Sequence, residues 1–385
     1  MAAAIPCNMG TSLQVIRTPG QPGDAGVAHG RAGYDLYEPR FVRAYTDQLG
    51  EAIGFTIDDL DRQSARWMDA LPDCYQEEVH GIAYGAGAPV SAVRALLFAD
   101  IAVPTRPTAP EGDQSVTGAI TAGGPMCSAL IAPLKTTPGD GLPWLGRNCD
   151  WLTPTLMRGT AGVVHRVPNR IPSIVVLFWG YIEIDTGMNA EGLWLHLHTI
   201  HAVDPVPENR PMISWLFWAR EALETCATIN EVDAFAARTA RDKGVLAICL
   251  EGKTGNAAVF ECGRGTSVRH DYDTSSISEA VCLTNHSPAK QIDDNTAWRG
   301  LPSGTIGRQR ALRKQTREHA IEEGPDDLIR ALAADGVEMR TPRWLRTIYA
   351  CVVEPRSRAL WFAAGSADGS PAASGRGWSR VRWDW

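Results

Sequence analysis

Cys127, Arg147 and Asp150 are residue types that together could support nucleophilic chemistry at a thiol. Cys127 stands in GGPMCSALIAPLK, where a Gly/Pro-rich approach gives way to a β-patterned run, and GRNCDW (146–151) carries the other two. A thiol is a good nucleophile near neutral pH, a guanidinium beside it favours thiolate, and a carboxylate within reach could hold an amine. Such a cysteine is either an ordinary buried thiol or a nucleophile that becomes a new N-terminus. PGDG (138–141), between SALIAPLK and LPWLGRNC, is a strong hairpin signal. If it closes a simple loop, Thr137 faces Leu142 and Asp150 falls opposite Ala129, on the face that carries Cys127. Strict alternation then puts Arg147 on the other face, and bringing it in requires a bulge or a strong twist. The plain alternative is a surface Arg–Asp pair on an edge hairpin, a common arrangement worth little.

Other groups compete. His196, His198 and His201 in WLHLHTIH could bind metal, because HxH on a strand points both rings to one face. The only upstream carboxylates weighed as partners, Glu183 and Asp185, lack convincing spacing, so His196 and His198 read as pocket-lining residues and no metal is expected. Trp144, Trp151, Trp179, Trp194, Trp215 and Trp218 read as core, with pocket lining the alternative for Trp194, Trp215 or Trp218. GIAYGAG and GRGTS are Gly-rich but lack a nucleotide-binding context. SWLFWAREAL (214–223) reads as a helix covering a sheet rather than a membrane surface.

The whole chain sets the bounds. Its 385 residues, 44% apolar, can bury a large core. A net charge of -7 gives no footprint for nucleic acid. The N-terminus lacks a signal-peptide pattern, and IVVLFWGYIEI (174–184) is too short to span a bilayer, so a cytoplasmic protein is expected. Nine scattered cysteines with no CxxC argue against a disulfide framework or a zinc ribbon.

The elements that must position these groups change character near residue 125. Residues 1–34 are rich in Gly, Ala and Pro and are expected to be a disordered tail. Residues 35–126 read as a helical segment ending in an exposed linker (104–126), and 127–385 as a strand-rich body. Strands are expected at VVHRV, SIVVLFW, GLWLHLHTI, VLAICLE, AAVFECG, AVCLTN, TIYACVVE and RALWFAAG. Helices interrupt them near 212–240, 305–321 and 326–335. Strands with helices in blocks imply an α+β layered sandwich.

The order of motifs resembles the penicillin acyltransferase branch of the N-terminal nucleophile (Ntn) hydrolases, relatives of the choloylglycine hydrolases. EEVHGIAYGAG (77–87), Cys127-Ser128, GRNCDW, GMNAEGLWL (187–195), LTNH (283–286), TIGRQRAL (305–312) and TIYACVVEPRSRALWFAAG (347–365) are similar to that family's motifs in register. The resemblance implies a four-layer αββα sandwich behind a helical pro-segment. It also implies cleavage of Met126–Cys127, with Cys127 as nucleophile and its own α-amine as base. Asp150 would orient the amine, Arg147 would favour thiolate, Asn189 (through its backbone N–H or its side chain) and Asn285 (through its side-chain amide) would form the oxyanion hole, and Arg308 would complete the polar shell. Three positions depart from the pattern: Met126 replaces a Gly, Thr305 a Ser, and Gln309 an aromatic, which leaves Arg310 as a competitor of Arg308.

The resulting expectation is a bacterial Ntn-type cysteine amidase or acyltransferase acting on a small amide or acyl donor through a thioester. Trp194, His196, His198 and Trp215 would contact substrate, and no cofactor, nucleic acid or membrane is involved. The two fragments would stay associated, and a homo-oligomer is left open. The alternatives are an uncleaved, non-catalytic Ntn-fold binding protein and a metal-dependent hydrolase centred on His196, His198 and His201.

Overall fold

A computed structural model describes residues 14–18, 20–33, 57–102, 126–133, 143–152, 160–178, 181–200, 204–205, 207, 210, 212–288, 304–322, 324–340, 345–365, 370–375 and 377–382. Residues 35–56 of the expected helical segment, most of the 104–126 linker, the PGDG turn, Trp179 and His201 lie outside these residues.

The chain opens with β1 (Gln14–Arg17), α1 (Pro22–Ala32), α2 (Ile57–Asp69), α3 (Asp73–Ala86) and α4 (Val90–Ala102). The first strands of the body are β2 (Met126–Pro133), β3 (Pro143–Leu152), β4 (Thr160–His165), β5 (Ser173–Phe178), β6 (Thr186–Asn189) and β7 (Leu193–Ile200). Next come β8 (Met212–Ile213), α5 (Trp215–Thr225), α6 (Ile229–Arg238), β9 (Ala240–Arg241), β10 (Gly244–Glu251), β11 (Ala257–Cys262), β12 (Ser267–Tyr272) and β13 (Val281–Leu283). Finally there are α7 (Thr305–Glu318), α8 (Pro325–Leu332), β14 (Leu345–Glu354), β15 (Ala359–Ala364) and β16 (Ser379–Arg382).

Two sheets stack. One has eight strands in the order β1-β4-β5-β6-β7-β10-β11-β12, and the other six in the order β13-β2-β3-β14-β15-β16. Helices α5 and α6 cover the first, α7 and α8 the second, and β2 meets β7 between the sheets. This is the expected α+β layered sandwich. Strand β2 is buried along nearly its whole length, so its alternate residues serve two apolar layers. Ala129 and Ile131 belong to the inter-sheet core, whereas Leu130 and Ala132 pack with Leu328 and Leu332 of α8. No single helix among the described residues is long and apolar enough to cross a membrane.

The N-terminal tail needs correction. Within residues 1–34, expected to be disordered, β1 adds a parallel edge strand to β4, and α1 packs along α3. The glycines that looked like breakers are what the helix crossing requires. A Cβ on Gly26 or Gly30 would run into backbone carbonyls of Glu78 and Ile82, and one on Gly81 or Gly85 into those of Gly23 and Val27. Only glycine lets the two backbones approach so closely.

The helical segment also shares its core with the body. Leu60, Val79, Phe98, Phe217 and Trp194 fall in one continuous hydrophobic cluster. A buried ionic network crosses the same boundary: Arg220 of α5 lies 2.7 Å from Glu78 of α3 and 2.9 Å from Glu224. The Tyr75 hydroxyl sits 2.9 Å from both Glu221 and Glu224, beneath the Arg220 guanidinium.

Candidate active site

The strand register decides who faces whom, and it differs from the simple hairpin. Met126 pairs with Asp150, Cys127 with Cys149 and Ala129 with Arg147. The pairing expected from a simple PGDG loop would have joined odd-numbered residues to even-numbered ones; the observed pairing joins odd to odd. Because side chains alternate with period two, this reverses the face of every residue on β3. Arg147 therefore shares the inter-sheet face with Cys127 and needs no bulge to reach it. Asp150 turns instead to the layer beneath α7 and α8, as does Asn148, whose amide donates to Leu332 O at 2.9 Å.

On the inter-sheet side, the Arg147 Nη2 donates to Cys127 Sγ at 3.4 Å and to Asp185 Oδ2 at 3.1 Å. The same nitrogen lies 3.2 Å from Leu197 O, while Nη1 donates to Asp185 O at 2.6 Å and to Thr186 Oγ1. Tyr349 closes the group, its hydroxyl donating to Asp185 Oδ1 at 2.8 Å. This fully buried guanidinium keeps its charge because a carboxylate and two carbonyls replace its lost hydration. Burial pushes the Cys127 thiol up, but its hydrogen bond with Cys149 and the Arg147 charge outweigh that, and the net displacement is downward. Cys149 moves the opposite way, raised by burial, by that shared hydrogen bond and by Asp185.

On the helix side, Arg308 of α7 wraps the Cys127 backbone. Its Nη2 donates to Cys127 O at 3.3 Å and to Asn285 Oδ1 at 2.8 Å, and its Nε to Ser128 Oγ at 3.1 Å. Asn285, just past the end of β13, also accepts the Cys127 N–H at 2.6 Å. Asp150 Oδ2 lies 3.9 Å from Arg308 Nε, and Asp150 Oδ1 accepts from Thr347 Oγ1 at 2.6 Å. Burial raises the Asp150 carboxyl to about 6, against the pull of Arg308 and the Thr347 hydrogen bond. A register shift in β14 between Thr347 and Tyr349 lets two residues of the same parity serve opposite faces, Thr347 for Asp150 and Tyr349 for Asp185.

The structure thus gathers Cys127, Arg147, Asp150, Asn285, Arg308 and Met126, whose Sδ lies 3.1 Å from Arg308 Nη1. It does not bring the Asn189 side chain there. That side chain caps a turn, with Oδ1 accepting from Glu191 and Leu193 N–H and Nδ2 donating to Leu223 O and Cys226 O. Asn285 presents its acceptor, not its donor, to Cys127; its Nδ2 donates to Thr199 O at 2.9 Å. Of the two competing arginines, Arg308 is buried at the site, and Arg310 is exposed beside an outer cavity of about 800 Å³ whose lining does not include Cys127.

His196 and His198 are fully buried, and both are held well below the usual histidine range by burial first and by the Arg147 charge. Trp194 Nε1 donates to His196 Nδ1 at 3.0 Å, and His198 Nδ1 donates to Thr284 O at 3.3 Å, next to Asn285. Trp215 and Trp218 lie on α5, which packs Leu223 against Gly187 on the face of the eight-stranded sheet opposite Thr186 and His196. Among the described residues no group of three or more His, Cys, Asp or Glu could hold a metal.

Asp185, Thr186, Thr199, Tyr349 and Cys149 were not anticipated at the site. The one signal in the sequence is Asp185, a carboxylate just upstream of the histidine strand.

Solved structures with similar folds include an N-acylethanolamine-hydrolyzing acid amidase ortholog from Caenorhabditis elegans. It is 17% identical over 63% of this chain and 97% of its own, with a TM-score of 0.43. The conjugated bile acid hydrolase of Clostridium perfringens, as a C2A mutant, is 12% identical over 67% of this chain and 97% of its own, with a TM-score of 0.41. Penicillin V acylase from Agrobacterium tumefaciens is 13% identical over 62% of this chain and 83% of its own, with a TM-score of 0.40. No curated protein matches the sequence. The family model for acyl-coenzyme A:6-aminopenicillanic acid acyl-transferase matches residues 136–368, a span that holds Arg147, Asp150, Asn189, Asn285 and Arg308 and begins after Cys127. By that match over more than half its length, the chain belongs to the acyl-coenzyme A:6-aminopenicillanic acid acyl-transferase family.

Proposed function

We propose that the chain is a self-processing cysteine amidohydrolase or acyltransferase that moves the acyl group of a small amide through a Cys127 thioester. The observation that carries this reading is the double clamp on one residue. Arg147 holds the Cys127 sulfur at 3.4 Å, while Asn285 and Arg308 hold its backbone N–H and C=O.

In the first step the Cys127 sulfur attacks the Met126 carbonyl, the peptide becomes a thioester, and water releases residues 1–126. The freed α-amine stays where Asn285 Oδ1 already accepts its N–H. It then takes the thiol proton as general base. The thiolate attacks a substrate amide, the leaving amine departs with that proton, and the thioester passes its acyl group to water or to an amine. Asp150 balances the charge of the ammonium through the Arg308 side of the site. His196 and His198, both neutral, face the reacting sulfur's side of the sheet as substrate contacts. The shared core and the Glu78–Arg220 pair keep the fragments together after cleavage.

Intact mass of purified protein tests the reading. The expected result is two fragments of 126 and 259 residues, a single chain for Cys127→Ala, and an acyl adduct on the Cys127 fragment after incubation with N-acyl amides. A single full-length species inert to acylation, or activity persisting in Cys127→Ala, would defeat it.

A further inference from the structure

Cys149 takes no part in the chemistry above, yet it stands directly opposite Cys127 on the neighbouring strand. Among the described strand pairs no other two cysteines are directly opposed. The type of pairing matters. Cys127 turns its N–H to Asn285 and its C=O to Arg308, away from β3, so Cys127 and Cys149 form a non-hydrogen-bonded antiparallel pair. Such pairs bring their Cα atoms to about 4.5 Å with side chains close on one face. Disulfides need Cα separations of roughly 4.4–6.8 Å. The two sulfurs also flank one ion pair: Cys127 Sγ lies 3.4 Å from Arg147 Nη2, which lies 3.1 Å from Asp185 Oδ2, which lies 3.3 Å from Cys149 Sγ.

We propose that Cys149 is the resolving thiol of Cys127, so that a hydroperoxide converts the pair to a Cys127–Cys149 disulfide. The Cys127 thiolate attacks the O–O bond of the peroxide, forming the sulfenic acid and releasing an alcohol or water. The Cys149 sulfur then attacks that sulfur, the S–S bond forms, the S–O bond breaks, and water leaves with the Cys149 proton. Two thiols lose two electrons to one peroxide. The Cys149 hydrogen bond and the Arg147 cation together supply the thiolate character that makes Cys127 react first. The bond would cap the sulfur reversibly and shield it from sulfinic acid, which thiols do not reduce. The effect on activity rests on Cys127 being the nucleophile; the crosslink itself does not.

The test uses the full chain, hydrogen peroxide at two equivalents, and N-ethylmaleimide to block remaining thiols before peptide mapping. Wild type should become about 2 Da lighter, with Cys127 joined to Cys149, while Cys149→Ala and Cys149→Ser should carry Cys127 about 32 Da heavier as sulfinic acid. Acyl trapping on wild type should disappear with oxidation and return with dithiothreitol. Wild-type Cys127 passing directly to sulfinic acid, or joining a different cysteine, would overturn the proposal. A Cys127–Cys149 crosslink in a protein that never acylates would support the pair while sinking the catalytic reading.

Discussion

Replacing Asp150 with Asn should stabilise the folded chain at pH 8 and leave it unchanged near pH 4. The carboxyl is fully buried, and its titration is raised from 3.8 to about 6 because burial outweighs Arg308 and Thr347. At about 1.36 kcal/mol per decade, the ionised form in the fold is disfavoured by about 3 kcal/mol. Below about pH 4 the group is protonated both folded and unfolded, so its contribution to stability is fully present. As pH rises the unfolded chain ionises first, and that contribution is lost progressively until the folded carboxyl also ionises, near 6. Asn stays neutral throughout, so the advantage of Asp150→Asn should open between those values and level off at up to about 3 kcal/mol. Urea unfolding in a Cys127→Ala background, where the chain is expected to stay in one piece, reads this difference at pH 4.5, 6 and 8. Asp150→Asn should at the same time lose self-cleavage in otherwise wild-type protein, because a carboxylate is held there at a cost to stability. A variant less stable than its parent at pH 8, or a gap independent of pH, would refute the reasoning: Arg308 and Thr347 would then compensate burial fully.

Three other outcomes are expected. Arg308→Gln should slow self-cleavage and acyl trapping by about 100-fold, since charge-assisted bonds to Cys127 O and Asn285 are lost; Arg310→Gln, at an exposed position, should match wild type in the same mass assay. Arg147→Gln should slow iodoacetamide alkylation of Cys127 at pH 7 by roughly tenfold as the thiol loses its neighbouring cation; an unchanged alkylation rate would mean Arg147 does not set the thiolate. Gly26→Ala should lower stability by about 1–3 kcal/mol or more by forcing the α1–α3 backbones apart, whereas Gly23→Ala, with nothing near its Cβ, should be neutral or slightly stabilising, and thermal unfolding separates the two.

Much of the fold was legible because apolar runs bounded by Gly and Pro report strands without reference to their neighbours. The strands from VVHRV through RALWFAAG and the helices α5 to α8 all appear close to their expected positions. The N-terminal helix α1 was not legible: Gly26 and Gly30 lower helix propensity locally, and only the approach of Gly81 and Gly85 from α3 explains them. The Asn189 side chain is committed elsewhere for a similar reason. Its residue type suits an oxyanion donor, but the carbonyls at the end of α5 claim its amide, and those become neighbours only in the folded chain.

The sequence by itself determined the chemical inventory around Cys127: a thiol, two arginines, a carboxylate and an amide, together with the α+β class. It also placed Arg147 and Asp150 on opposite faces of one strand, since they are an odd number of residues apart. Which of the two faces the sulfur was decided only by the tertiary structure. That choice rests on the parity of a single register between β2 and β3, in which Leu130 and Ala132 pack on α8. A shift of one residue would have exchanged the cation and the carboxylate, and local sequence carries no energy term strong enough to forbid it.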